Sequence, residues 1–209
     1  MIYLIGSGGH GKVVLDALLA LRCEVEVLDA DAGRVGELLL GRKIAREEKV
    51  LALLKPPAEF LVAIGDGSSR RRVAERWEAA GHRLVRVLHP LAHVGSTAEV
   101  AEGAVVMAGA IVQAGARIGR GAIVNTGASV DHDCRVGDFA HIAPGAHMAG
   151  GVEVGAGAWI GIGATAIEGI IIGPRAVVGA GSVVVDDLPA DVVAYGNPCR
   201  VVRRIGRGS

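Results

Sequence analysis

Asp131-His132-Asp133 is the most chemically loaded stretch of this 209-residue chain. An imidazole between two carboxylates has its pKa raised and its tautomer fixed. A neutral histidine near pH 7 can take a proton from an amine or a hydroxyl, a contribution of about 10² to 10⁴ in rate. The same three residues could also be nothing more than an ordinary polar corner. Further polar groups crowd the window from Asn125 to His147, namely Asn125, Thr126, His141 and His147. His132, His141 and His147 also raise the question of a metal, but their spacing does not converge three imidazoles on one point, so no metal is expected.

The elements that must position these residues are legible in a strict period. From Ala92 to Asp187 the chain runs in sixteen hexads without insertion or deletion. The third position is Val, Ile, Met or Ala throughout, from Val94 to Val184, and the first is small or aliphatic. This pattern predicts a parallel β-helix in which each hexad gives one short strand and one corner. Three hexads make a coil, so residues 18 apart stack on adjacent coils. His132 and Asp133 fall at the fifth and sixth positions of their hexad, at a corner and facing outward. Gly150 stacks one coil above His132. Cys134 offers a nucleophilic alternative two residues from His132, but it holds an inward first position.

The preceding segment has a different pattern. Ile2 to Ile5 reads as a strand, Gly6-Ser7-Gly8-Gly9-His10-Gly11 as a tight loop, Lys12 to Leu21 as a helix, and Val25 to Leu28 as a second strand ending in Asp29. The match to GxGxxG through Gly6, Gly8 and Gly11 raises a dinucleotide site, but some 90 residues are too few for its two halves. Half a nucleotide site fits better: glycines admit a phosphate to the backbone, and the helix starting near Gly11 points its dipole at it. A bare strand-to-helix turn is the alternative. Phe60 to Ile64 and Gly65-Asp66-Gly67 repeat the strand-and-glycine pattern, with Ser68 or Ser69 as cap for the next helix. Residues 32–57 carry no clear pattern.

Three segments follow: 1–90, a Rossmann-like βαβ domain; 91–187, the β-helix; and 188–209, a tail expected to cap the open end of the column. Lys plus Arg and Asp plus Glu balance at 22 each, which argues against a nucleic-acid-coating protein. Apolar runs are short and broken by glycine, so membrane insertion is not expected, and the N-terminus lacks a signal-peptide pattern. A cytoplasmic location is expected. Cys23, Cys134 and Cys199 show neither disulfide nor zinc spacing.

With these residues assembled, the chain resembles the bacterial sugar O- or N-acyltransferases of the sialic acid O-acetyltransferase and nucleotide-aminosugar N-acetyltransferase group. The likeness rests on IGSGGHGKVVLDAL, AIGDGSSRRRVAERW, HPLAHVG, NTGASVDHDCRVGDFAHIAPGAHMAGGVEVG and GNPCRVVRR, in that order. It implies a left-handed β-helix, a homotrimer with sites between subunits, acetyl-CoA as donor and a nucleotide-sugar acceptor. Carried over, His132 is the general base and Asp133 or Asp131 its orienter. Gly8, Gly9 and His10 lie along phosphates and sugar, Asp29 and Gly65 contact base or ribose, and Asn125 lies beside the acceptor. His141 and Gly150 meet the thioester, and Ile162 and Ala180 line the pantetheine path. The acceptor is expected to be the amino group of a UDP- or GDP-linked 4-amino-dideoxy sugar. The alternatives are O-acetylation of a sialic acid or related sugar, and a β-helix that only binds sugar nucleotides or serves a structural role.

Overall fold

The structure is a computed structural model and describes residues 1–206. The chain divides into two compact units, Met1–Pro90 and a second from Leu91 onward.

In the first unit, strands β1 (Ile2–Ile5), β2 (Val25–Asp29), β3 (Leu38–Leu39), β4 (Arg42–Arg46), β5 (Glu59–Val62) and β6 (Arg83–Leu84) form a sheet in the order β3-β4-β2-β1-β5-β6. Apart from the antiparallel β3–β4 hairpin, the pairs are parallel. Helix α1 (Gly9–Ala20) buries Val14, Leu15, Ala17 and Leu18. Helix α3 (Gly67–Ala79) buries Ala74 and Trp77, and a short α2 spans Glu47–Leu53. Each large apolar side chain so buried contributes about 1.5–3 kcal/mol.

The chain runs from β1 to β2 and β4 on one side, then crosses to β5 and β6 on the other. The strand order therefore reverses between β1 and β5, where open α/β sheets leave a crevice at the strand C-termini. Both glycine turns, at Gly6–Gly9 and Gly65–Gly67, lie at this switch point. Residues 32–57, patternless in the sequence, hold a 3-10 turn at Ala32–Arg34, the β3–β4 hairpin and α2. The hairpin turns on Leu40 and Gly41, both at positive φ (45° and 78°), as a two-residue primed turn requires.

In the second unit, sixteen two-residue strands run from His93–Val94 to Val183–Val184, one per hexad. Pairing is parallel at a register of 18, as in Ile123↔His141↔Trp159↔Val177 and Ser129↔His147↔Thr165. Three faces result. The third positions from Val106 to Val184 are all buried, and the first positions from Ala104 to Ser182 likewise. The column is an alanine-and-valine core closed by backbone ladders between coils. Beyond it, Val192–Tyr195 adds in parallel to Val177–Val178, and Arg200–Arg204 folds back antiparallel to it. Leu188, 5% exposed, bridges to Ile172.

Candidate active site

The corner at Asp131–Asp133 is shaped by backbone before side chains. From Gly103 to Gly181 the sixth residue of each hexad takes a left-handed conformation, supplied by glycine in most coils, as at Gly115, Gly127 and Gly151 (φ 72°, 65° and 69°). Asp133 (φ 61°), Phe139 (57°) and Arg175 (56°) take it without being glycine. That conformation costs an ordinary L-residue about 1–2 kcal/mol, less for Asp. Each exception has a contact that holds it: Arg175 pairs with Asp191 through two bonds, and Phe139 lies under the Arg120 guanidinium. Asp133 holds His132, its Oδ2 lying 2.9 Å from Nδ1.

The two flanking acids therefore divide their work. Asp131 Oδ1 accepts from the His132 backbone amide at 2.7 Å and shapes the turn, while Asp133 addresses the ring. With Nδ1–H donated to the carboxylate, Nε2 is the basic nitrogen. The Asp133 hydrogen bond is the main influence raising the His132 pKa above its ordinary value; desolvation opposes it, and the charges of Asp131 and Asp133 add to it. Both side chains are open to solvent, 65% and 75% exposed.

Gly150 lies where the repeat arithmetic places it. The Gly151 amide donates to the His132 carbonyl at 2.9 Å, and a Cβ built on Gly150 would stand 2.5 Å from both Cε1 and Nε2 of His132. The imidazole thus rests against a backbone with no side chain, and its Nε2 lies beside Gly150. Cys134 is fully buried, donates its thiol to Ala149 O at 3.0 Å, and has its pKa raised chiefly by burial. Its sulfur is a core atom, not a nucleophile.

The remaining predicted residues of this unit form a second group. Asn125 Oδ1 accepts from the Thr126 amide at 2.8 Å, which aims Nδ2 at His141 Nε2, 3.0 Å away. Nε2 then accepts and the His141 proton sits on Nδ1. His141 is 6% exposed and packs against Trp159 at 4.4 Å between ring centroids. Ile162 and Ala180 stack on adjacent coils, joined by Gly181 N donating to Ile162 O at 2.8 Å, and both are exposed. These four lie on the face of His141 and Trp159 and at the corner that ends it. His132 and Gly150 lie at the next corner, one face further round the coil. Six residues at about 3.3 Å each allow at most about 20 Å between the corners. The two groups thus lie on successive faces of one coil, His141 on the ladder with Ile123 and Trp159, and His132 after the ladder of Ser129 and His147. Among the described residues, no cluster of metal-ligating side chains is present.

In the first unit, Gly8 is the N-cap of α1, which begins at Gly9, two residues earlier than the pattern suggests. Gly6 and Gly11 are demanded by the protein, since a Cβ at either would strike backbone, at Ala63 O and Gly6 O respectively. At Gly8 and Gly9 a Cβ would meet nothing within 4 Å, and no side chain caps the helix. The open side of the loop is therefore where a ligand's anion would sit. His10, in the first turn, has its pKa lowered to about 4 by burial and by the Arg70 charge, so it is neutral at working pH. Arg70 is 1% exposed and donates to the carbonyls of Ile64 and Gly65 at 2.7 Å each, bracing the second glycine turn. The cap of α3 is Asp66, accepting from Ser69 N at 2.7 Å, rather than Ser68 or Ser69.

Asp29 braces the first turn. Its Oδ2 accepts from the amide and hydroxyl of Ser7 (2.8 and 2.5 Å) and Oδ1 from the Asp31 amide (2.8 Å). Burial pushes its pKa up, but these bonds and the Arg34 charge outweigh that and leave it lowered. Ser7, 1% exposed, and Arg70 are contributors the sequence reading missed; Ser7 was visible only as a hydroxyl inside a glycine run.

Known proteins resemble this chain in both of its units. The family described as the PglD N-terminal domain matches residues 1–77. UDP-N-acetylbacillosamine N-acetyltransferase of Bacillus subtilis is 39% identical over 109 residues, 49% of either chain. The chain spans about half the length of that relative and about a fifth of others it matches. Solved structures align over nearly the whole chain. PerB from Caulobacter crescentus, in complex with CoA and GDP-perosamine, is 40% identical with a TM-score of 0.91, covering 97% of both chains. The acetyltransferase domain of PglB from Neisseria gonorrhoeae, in complex with acetyl coenzyme A, is 38% identical with a TM-score of 0.91, covering 96% of this chain and 98% of that one. The chain belongs to this family, the acetyl-CoA-dependent sugar N-acetyltransferases of the hexapeptide-repeat superfamily. No helix among the described residues is long and apolar enough to cross a membrane.

Proposed function

We propose that this protein moves an acetyl group from acetyl-CoA to the amino group of a UDP- or GDP-linked 4-amino-dideoxy sugar, with His132 as general base. The observation that carries the reading is the His132–Asp133 pair: a 2.9 Å bond fixes Nδ1, and Nε2 is left basic at an exposed corner beside a glycine. PerB, aligned over nearly its full length, is the relative whose complex holds CoA together with a nucleotide-linked sugar.

His132 Nε2 removes the proton that the attacking nitrogen must lose as it bonds to the thioester carbonyl carbon. Asp133 stabilises the imidazolium that forms. The Gly150 amide lies on the coil where it could donate to the carbonyl oxygen as that becomes an oxyanion. When the C–S bond breaks, the imidazolium returns its proton to the departing sulfur. No covalent enzyme intermediate is needed, in keeping with the inert Cys134. The first unit would hold the nucleotide, with the diphosphate against Gly8, Gly9 and the neutral His10 and the Gly65 turn beside it. Asn125 would contact the acceptor sugar, His141 the thioester, and Ile162 and Ala180 the pantetheine arm.

The placement of the two groups on successive faces of one coil is what a homotrimer would use, one copy's His132 corner meeting the neighbour's Asn125–His141 face. In that arrangement every active site draws on two copies. The acceptor is tested by incubating the protein with acetyl-CoA and a panel of UDP- and GDP-linked aminosugars and following thiol release. Release with a 4-amino nucleotide sugar supports the reading. Release only with hydroxyl acceptors such as sialic acid overturns it.

A further inference from the structure

Arg34 closes the 3-10 turn that follows β2, where the first turn of α1 and the end of β2 come together. Its guanidinium is held in two directions within its own plane. Nε donates to Glu37 Oε2 at 2.8 Å, and Nη2 donates to the carbonyl of Ser7 at 3.1 Å, one residue before the open glycines. The side chain is nevertheless 35% exposed. With two nitrogens spent in-plane, the surface left for a ligand is the flat face of the guanidinium and the third nitrogen.

The surrounding charges decide what that face can serve. Glu37 neutralises Arg34 directly, and Asp29 and Asp31 stand on the same turn. A group so offset by carboxylates is a poor electrostatic anchor for phosphate. A rigid planar guanidinium is a good stacking surface for an aromatic ring. In folds of this order, moreover, the end of β2 faces the nucleoside while the β1–α1 loop faces the phosphates. Asp29, the residue expected to contact the nucleoside, already receives the Ser7 and Asp31 groups on both oxygens.

We propose that Arg34 is the nucleobase platform of the acceptor site: its fixed guanidinium plane stacks on the base of the nucleotide-linked sugar, while α1 receives the diphosphate. The inference rests on the nucleotide-sugar reading above. It predicts that binding depends on the base through Arg34, with a purine held more tightly than a pyrimidine because more ring area is covered.

The test is calorimetric titration of the full-length protein and of Arg34→Ala and Arg34→Lys with GDP, GMP and inorganic pyrophosphate. Stacking is worth about 1–3 kcal/mol per base, so Arg34→Ala should weaken GDP and GMP by the same factor, about tenfold or more, and leave pyrophosphate unchanged. Arg34→Lys keeps the charge and loses the plane, so it should not restore affinity. Loss of pyrophosphate binding in step with GDP, rescue by Arg34→Lys, or GDP binding unaffected by either variant would overturn the proposal. Failure of the functional reading looks different: the wild-type protein would then bind GDP through Arg34 yet acetylate no nucleotide aminosugar.

Discussion

Adding one methyl group at Gly150 should disable the site without unfolding the coil. A Cβ there falls 2.5 Å from Cε1 and Nε2 of His132, roughly 0.9 Å short of an ordinary 3.4 Å contact. Gly150 is not in the left-handed region, so alanine brings no backbone strain of its own, and the exposed imidazole is what yields. Moving the ring by that distance breaks the 2.9 Å bond to Asp133 and misplaces Nε2. A misplacement of about 1 Å can cost about 10²-fold in rate. Gly150→Ala should therefore lose about two orders of magnitude in kcat/KM, with a Tm near that of the wild type. The next residue is the control. Gly151 has φ 69°, and its Cβ would meet only Gly169 Cα, 4.0 Å away. Gly151→Ala should cost about 1–2 kcal/mol of stability, a Tm drop of about 2–8 °C, while each folded molecule keeps near-normal turnover. Circular-dichroism melts and thiol-release kinetics on the two variants give the comparison. Full activity in Gly150→Ala, or equal activity losses in both, refutes the reasoning.

Three further outcomes follow from the same geometry. The base works only when unprotonated, and its pKa is raised mainly by the Asp133 bond. The acid limb of kcat/KM should thus lie above the ordinary histidine value of about 6.5. In Asp133→Asn it should move to lower pH with a reduced plateau, so the deficit against wild type is larger at pH 8 than at pH 6; an unmoved limb contradicts the assignment. Cys134→Ala should retain turnover, and a folded but inactive variant would revive a thioester intermediate. If each site is built from two copies, mixing His132→Ala with His141→Ala protein under conditions that reassort subunits should restore about a quarter of the wild-type sites. No recovery, with reassortment verified by tagged subunits, would place both histidines in one chain's site.

The β-helix could be read almost completely from the sequence because a period of six, once in register, fixes inward and outward positions alike. The neighbourhood of His132 and Gly150 followed from a difference of 18. The same arithmetic places Asn125, His141, Ile162 and Ala180 on another face, yet a list of site residues conceals that until the coil is drawn. The choice between Asp131 and Asp133 needed backbone geometry, since only φ 61° at Asp133 turns that carboxylate onto the ring. In the first unit, residues 32–57 were opaque because Leu40 occupies a left-handed position without announcing it. α2 is also too short, at seven residues, to show a helical period. Asp66 outcompeted two serines as cap because its carboxylate reaches Ser68 Oγ as well as Ser69 N. Asp29 looked like a ligand contact by spacing alone. What that spacing could not reveal was Ser7, whose hydroxyl and amide occupy one of its oxygens.

The central claim is that His132 takes the proton from the acceptor amine. Thiol release from acetyl-CoA with a 4-amino nucleotide sugar, measured for wild type and His132→Ala across pH 6 to 9, tests it most directly. The account predicts a loss of about 10² to 10⁴ in kcat at pH 7.5, with the acid limb abolished and KM for acetyl-CoA little changed. Near-normal turnover of His132→Ala with the limb still present would contradict it.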